Sequence, residues 1–384
     1  MTVPTVLIVD DEPHARAEEV AEEVAEDGST VADSIHPADL SRAEITTADL
    51  ILVDVRLDKW TEDRDADEVG KLAADERVAS RPRDGVALAA VIRSQLPRDD
   101  YRVRGVALLS ANLTDLVENF TPAATEHAAA RFNSVEWAFD KSEINGLPSL
   151  AHRIRSFASA VRTLDEQWPK VEDETDREAA LYELLRLDHN DWAEVAHRDV
   201  HAAQAPINQY GTATHGLSVL RWLGQRVLPY PTFLLDSRRL AMICGVAPEV
   251  VANRDLRGSL ESIFDEVRYQ GPLAKFLGPR WWRAGVRDVV RKLSDETLPG
   301  PAVRAAMEAQ TGVGLPPLEP PGAVLGIDGE LNVVGVVARE RAVRVRPDDW
   351  PPFAETGWLS EEQLNEHPGL IDLVDPVDRE RLGN

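Results

Sequence analysis

Residues 4–12 read PTVLIVDDE, and residues 49–57 read DLILVDVRL. The first is an apolar run that ends in acids, and the second carries its acid near the end. Runs with no polar alternation suit strands covered on both faces, as in a parallel sheet. Outward from these two, 103–110 (VRGVALLS) and 134–140 (SVEWAFD) read as strands, and so does 30–34. Helical patterns separate them. Within 13–27, Ala17, Val20, Ala21 and Val24 recur at i, i+3, i+4 and i+7 and form an inner face. Glu18, Glu19, Glu22, Glu23 and Glu26 form an acidic outer face, and Gly28 stops the helix. Further helices are expected at 37–44, 84–95, 113–130 and 147–164. Strand–helix alternation with right-handed crossovers predicts a doubly wound, five-stranded parallel sheet, with every strand C-terminus on one edge.

The chain has 384 residues, enough for two or three domains. The sheet unit is expected over 1–164, followed by an acidic linker at 165–175. Residues 176–311 read as a mostly helical domain, with patterns at 176–187, 190–204, 214–227, 236–244, 258–268 and 282–294. A final piece, 312–384, opens with a Pro/Gly-rich stretch at 312–323. It continues with a small β-hairpin in 324–346, turned at Asp328-Gly329, and two short helices in 359–382. The charge balance is 42 basic against 67 acidic residues, a net of −25, which opposes a general nucleic-acid role. The single cysteine, Cys244, forms no intrachain disulfide. With no basic leader segment and no long apolar stretch, the expectation is a cytoplasmic protein with no membrane span.

Ligands bind open parallel sheets at the C-terminal strand ends. This sequence places Asp10 and Asp11 there from the first strand, with Glu12 next. Asp54 comes from the third strand, Ser110 from the fourth, and Lys141 follows the fifth. Carboxylates crowded together repel one another, and a divalent cation relieves them. Oxygen ligands of this kind suit Mg²⁺. A carboxylate can attack phosphorus to give an aspartyl phosphate, and a metal and a lysine neutralise charge on the transferring group.

The blocks VLIVDDE, ILVDVRL, ALLSAN and AFDK, in this order, resemble the four signature blocks of response-regulator receiver domains in two-component signalling. DGVALAAVIR, at 84–93, is similar to the helix that follows the phosphorylation loop in that family. The resemblance covers residues 4 to about 163 and implies a flavodoxin-like fold. It also implies that Asp10 and Asp11 are the acidic pair, with Asp11 the direct Mg²⁺ ligand. By the same resemblance Asp54 is the phosphoacceptor and a metal ligand, and the backbone carbonyl of Arg56 completes the metal site. Ser110 is then the switch hydroxyl, and Lys141 contacts the phosphoryl group. The implied phosphodonor is a histidine kinase. Three features depart from the pattern. A charged insertion at 58–83 separates Asp54 from Asp84-Gly85, Ser142 follows Lys141 where proline is usual, and Ala138 fills the usual aromatic position between Trp137 and Phe139.

Three features beyond the sheet unit bear on output. His197 and His201 stand at i, i+4 with His189 and Asp191 nearby, a zinc-compatible spacing. No HExxH pattern accompanies them, so a structural role is the simpler reading. Residues 236–258, with Gly245 at a turn and Arg254 and Arg257 beyond it, resemble a helix-turn-helix, although an αα-corner explains them as well. Residues 268–293 carry Arg268, Lys275, Arg280, Arg283, Arg287, Arg291 and Lys292 around Trp281 and Trp282, against the single acid Asp288. This patch suits docking of an acidic receiver unit, in the same chain or in a dimer, which is the simplest reading; binding of a nucleotide or phosphate and contact with nucleic acid are the alternatives. The expected function is therefore a response regulator whose C-terminal part engages a downstream protein. The alternatives are a DNA-binding regulator, a phosphate-buffering or accessory regulator in a specialised, defence-type signalling system, and an effector enzyme without a recognised catalytic motif.

Overall fold

Apolar residues at alternate positions of each strand face opposite sides of the sheet, and each side is covered by helices. The computed structural model describes residues 3–57, 84–96, 102–116, 126–142, 147–170, 176–187, 191–209, 212–213, 215–294, 300–328, 333–347 and 350–382. The insertion at 58–83 lies outside the described residues. The first unit runs β1 (Thr5–Val9), α1 (Glu18–Ala25), β2 (Val31–Ile35), α2 (Arg42–Thr47), β3 (Leu50–Asp54), α3 (Gly85–Gln95), β4 (Gly105–Ser110), α4 (Glu126–Phe132), β5 (Trp137–Asp140) and α5 (Leu150–Gln167). The five strands are parallel in the order β2-β1-β3-β4-β5, a flavodoxin-like arrangement. Val9 lies opposite Ile35 and Val53, Asp54 opposite Leu109, and Ser110 opposite Asp140. The acid-bearing strand ends therefore share one edge.

One face buries Val6, Ile8, Leu50 and Leu52 against α1 and α5, including Val24, Ile154, Phe157 and Val161. The other buries Leu7, Val9, Ile51 and Val53 with Leu88 and Ile92 of α3 and Ala129 of α4. The expected helix at 113–130 divides into a short 3₁₀ turn at Leu113–Leu116 and α4, with 117–125 outside the described residues. Helix α5 reaches Gln167, three residues into the segment expected to be a linker, and Trp168 just beyond it is buried.

The second region contains α6 (Arg177–Leu184), α7 (Ala193–Ala202), the small strands β6 (Asn208–Gln209) and β7 (Thr212–Ala213), and α8 (Gly216–Trp222), which continues into a wide helical turn at Leu223–Val227. Then come β8 (Leu234–Leu235), α9 (Ser237–Ile243), α10 (Arg254–Ser262), β9 (Trp281–Trp282), α11 (Arg283–Leu293) and α12 (Gly300–Thr311). It has no separate core at the boundary. Leu181, Val219, Leu220, Leu223, Leu273, Phe276 and Trp282 belong to the same buried cluster as α5 and Trp137. A further cluster gathers Leu240, Phe264, Trp281, Val286 and Met307.

The C-terminal piece contains β10 (Val324–Ile327), β11 (Val333–Val337), β12 (Ala342–Val345), β13 (Gly357–Ser360), α13 (Glu361–Glu366) and α14 (Pro376–Arg381). Strands β10 and β11 form the expected antiparallel hairpin, while Gly329 of its expected turn lies outside the described residues. The remaining stretch of 324–346, which forms β12, does not extend that hairpin. β12 pairs with β13, which inserts between β12 and β10, giving the order β11-β10-β13-β12. The β13 segment, GWLS, places Leu359 in a small core with Ile327 and Val343, and this tertiary burial decides the pairing. Among the described residues, no helix is long and apolar enough to cross a membrane.

Candidate functional site

Strand β3 delivers Asp54 to the sheet edge by burying Leu50 through Val53 completely beneath it. Helix α3 begins beside it. Asp84 caps the helix by accepting from the Ala87 amide at 2.7 Å, and the Gly85 amide donates to the Val55 carbonyl at 3.0 Å. The approach is so close that a Cβ on Gly85 would fall 1.8 Å from the Asp54 carbonyl oxygen, so only glycine fits here. Strand β1 delivers Asp10, which accepts from the Glu12 amide at 2.8 Å. Lys141 follows β5, with its backbone amide bound to the Ser110 carbonyl at 2.7 Å.

The three side chains converge. Lys141 Nζ lies 2.5 Å from Asp54 Oδ2 and 3.7 Å from Asp10 Oδ2. Asp10 and Asp54 are 5% and 8% exposed, so the ammonium is held between two carboxylates in a largely dry setting. Asp54 Oδ1 also accepts from the Arg56 amide at 3.3 Å. Burial pushes the Asp54 carboxyl up to about 6; Lys141 opposes that rise and the Asp10 charge reinforces it.

Asp11 is half-buried just beyond β1. Among the described residues, no group of three or more Asp, Glu, His or Cys side chains is placed to hold a metal ion. Asp10, Asp11 and Asp54 therefore do not form a ready three-carboxylate cage. The donor chemistry still suits Mg²⁺, which is commonly bound by one or two carboxylates with water and phosphate oxygens. Ser110 is buried at the end of β4. Its Oγ donates to the Asn112 carbonyl at 2.9 Å and accepts from the Asn112 amide at 3.1 Å, so the hydroxyl is engaged in its own turn. The Ser142 position that departs from proline forms a local turn, with its amide donating to Asp140 Oδ1 at 2.8 Å.

Behind Lys141 lies an acid with no sequence signature. Glu126 of α4 accepts from the Asp140 amide at 2.8 Å and from Trp137 Nε1 at 3.2 Å, and it pairs with buried Arg153 of α5. Arg153 in turn lies over the rings of Phe139 and Phe276. The segment around Glu126, TEHAAARF, reads as a helix surface, and nothing in it distinguishes a buried acid from a solvated one. Trp137 and Phe139, which flank Ala138, point into the core shared with the second region; Trp137 meets Phe276 edge to face at 4.8 Å between ring centroids. Glu136, 1% exposed, receives Arg93 of α3 and Arg221 of α8 at 2.8 and 2.6 Å.

No family model matches the chain, and no curated protein matches it.

The other sequence candidates are dispersed. Trp281 and Trp282 are buried in β9, paired with β8, and do not form an exposed docking face. Arg280 is buried and donates to the carbonyls of Leu277 at 2.8 Å and Leu228 at 3.3 Å. Arg283 pairs with Asp199 and Glu355, and Arg291 and Lys292 pair with Asp288. Arg268 pairs with Asp265 and sits over Trp281. Arg287 is exposed beside a separate cleft of about 330 Å³, and Lys275 is exposed elsewhere. His197 stacks on Tyr182 at 3.9 Å, His201 is exposed, and His189 lies outside the described residues. In 236–258, Gly245 has φ +69 and abuts the Gly300 backbone, and Ala247 and Leu318 are tied to the facing segment through Pro316 and Gly245 carbonyls. That turn is packed against the start of α12 and the segment 316–318, with an isolated bridge between Val246 and Pro317. Helix α10 starts at Arg254, after a 3₁₀ turn at Pro248–Ala252, so the expected second helix is shifted toward the C-terminus.

Proposed function

We propose that this chain is a phospho-accepting signalling regulator of the receiver type, with Asp54 the acceptor. The observation that carries the reading is Lys141 Nζ held within 4 Å of both Asp54 and Asp10 at the C-terminal edge of a parallel sheet. A phosphohistidine on a partner kinase is the donor class that suits an acyl-phosphate product. Asp54 Oδ attacks phosphorus, the phosphorus–nitrogen bond to the donor imidazole breaks, and the imidazole nitrogen takes a proton. Lys141 then faces the new phosphoryl oxygens and balances their charge. Asp10, Asp11, Asp54 and the Arg56 carbonyl are the groups that would hold Mg²⁺. Bound there, the ion would supply charge neutralisation to the transferring group. Hydrolysis of the acyl phosphate by water resets the site.

The nucleophile is the ionised carboxylate, a form that burial disfavours and that Lys141, and Mg²⁺ when bound, would favour. The output reading follows from connectivity. Asp140 is one residue from Lys141 and is tied to Glu126, and Trp137 of the same strand is packed on Phe276. A shift of Lys141 toward a phosphoryl group would thus be felt by the second region. The test is incubation with acetyl phosphate and Mg²⁺, followed by intact-mass measurement. One added phosphoryl group is expected on the natural chain and none on Asp54→Asn. A natural chain that gains nothing, or an Asn variant that gains as much, overturns the assignment.

A further inference from the structure

Between α5 and the loop 268–279 run two joined clefts of about 470 and 840 Å³, which share His152, Gln270, Ala274 and Lys275 in their walls. Volumes of this size are those of small-molecule sites. Their walls differ in chemistry. The first is lined by Ser29, Ser156, Ser159, Thr163 and Gln167, together with the cations Arg155 and Arg186. The second is lined by Leu147, Pro148, Tyr269, Ala274 and Pro279, with Arg257 and Arg268 at its margin. Across both, five permanent cations face only two carboxylates, Asp27 and Glu261. That excess stands out in a chain of net −25.

The two carboxylates are already used. Asp27 Oδ2 lies 3.3 Å from Arg155 Nε, and Glu261 lies 3.6 Å from Arg268 and 4.0 Å from Arg257. Lys275 and the Arg186 guanidinium have no ion pair or side-chain hydrogen bond with any described residue. The field of these cations is felt at the shared wall, where burial, Arg155 and Lys275 push the His152 imidazole below its ordinary value. The loop itself is held firmly. Leu273 has φ +63, a left-handed conformation unfavourable for leucine, and its side chain is 2% exposed in the core beneath the cleft.

We propose that this double cleft binds a nucleotide-class ligand, with its phosphates in the cationic, hydroxyl-lined half beside Arg186 and Lys275 and its flat apolar ring in the half walled by Leu147, Pro148, Tyr269 and Pro279. The site is separate from Asp54 and does not depend on phosphorylation. The experiment is calorimetric titration of the full chain, in its Asp54→Asn form and without Mg²⁺, with ATP, inorganic pyrophosphate and adenosine. ATP should bind most tightly, pyrophosphate more weakly and adenosine least. Lys275→Glu and Arg186→Glu should each weaken ATP by at least about tenfold, the scale of one lost charge-assisted contact. Both positions are exposed, so the ligand-free melting temperature of each variant should match that of the parent. The proposal is overturned if neither ATP nor pyrophosphate binds at millimolar concentration, if ATP binds no better than pyrophosphate, or if the two variants bind ATP as the parent does. Because the titration uses Asp54→Asn, its result is independent of whether Asp54 accepts phosphate.

Discussion

At the scale of single residues, the site is defined by one carboxyl held where ionisation is costly. Asp54 is 8% exposed, and burial dominates its environment even with Lys141 at 2.5 Å. A carboxyl whose folded pKa lies above its unfolded value binds protons more readily in the native state. Its stabilising contribution is therefore complete below about pH 4 and is lost as pH rises through about 6. Above that pH the ionised Asp54 works against the fold. Asp54→Asn keeps the shape and removes the charge, so it should raise the unfolding free energy by about 1–3 kcal/mol at pH 8. The gain should shrink as pH falls from 6 toward 4 and vanish below that. Urea denaturation of both proteins at pH 8, 6 and 4 measures it, and an Asn variant less stable than the parent at pH 8 would contradict the assigned environment. A proposed nucleophile held at such cost fits a site where stability is yielded to function.

At the scale of elements, the seating of α3 on the end of β3 sets the site's geometry. The Gly85 position has no room for a side chain, since its Cβ would meet Asp54 backbone rather than a flexible tip. Gly85→Ala must push α3 and the end of β3 apart. It should cost about 1–3 kcal/mol and slow phosphorylation of Asp54 as Lys141 and Asp54 lose register. A melting curve paired with the mass-shift assay separates the two effects, and an Ala variant with parental stability and rate would refute the close packing. The same junction illustrates what was legible in the sequence. Four buried strands (β1, β3, β4 and β5), their order of acids, and the convergence of Asp10, Asp54 and Lys141 could be read from apolar runs ending in charge, because parallel burial leaves an unbroken pattern; the edge strand β2, VADSI, is half-exposed and carries no such run. Glu126 could not, because the burial of an acid in TEHAAARF is decided by Arg153 and Trp137, distant in sequence. Strand β13 was hidden likewise. GWLS is four residues long, too short for a period to speak, and its pairing with β12 is fixed by burial of Leu359. The Arg- and Trp-rich run at 268–293 reads as one surface, yet pairing with β8 turns both tryptophans inward and scatters the charges.

At the scale of the whole molecule, the sheet unit and the helical region share a core. Trp137, Phe139 and Phe157 of the first surround Phe276 of the second, with ring centroids 4.8, 6.0 and 5.2 Å away. Polar ties reinforce the join, with Glu136 gripping Arg221 and His127 Nε2 lying 3.2 Å from Tyr230 Oη. A sheet unit cut off at residue 170 would leave the outer face of α5 and β5 apolar and uncovered, including Trp168, Leu164 and Trp137. Exposed apolar faces of that kind drive association. The fragment 1–170 is accordingly expected to self-associate and to bind a hydrophobic dye, whereas a receiver unit tethered by a loose linker would remain monomeric. Phe276→Ala in the full chain tests the same join without truncation. It removes a fully buried ring and should cost about 3–5 kcal/mol. Because the cavity opens into both parts, tryptophan fluorescence and far-ultraviolet circular dichroism should report one coincident transition, shifted as a unit. Two separated transitions, with only the second displaced, would mean that the parts fold independently. In that case a change at Asp54 would have no packed route from β5 to the helices it is proposed to control.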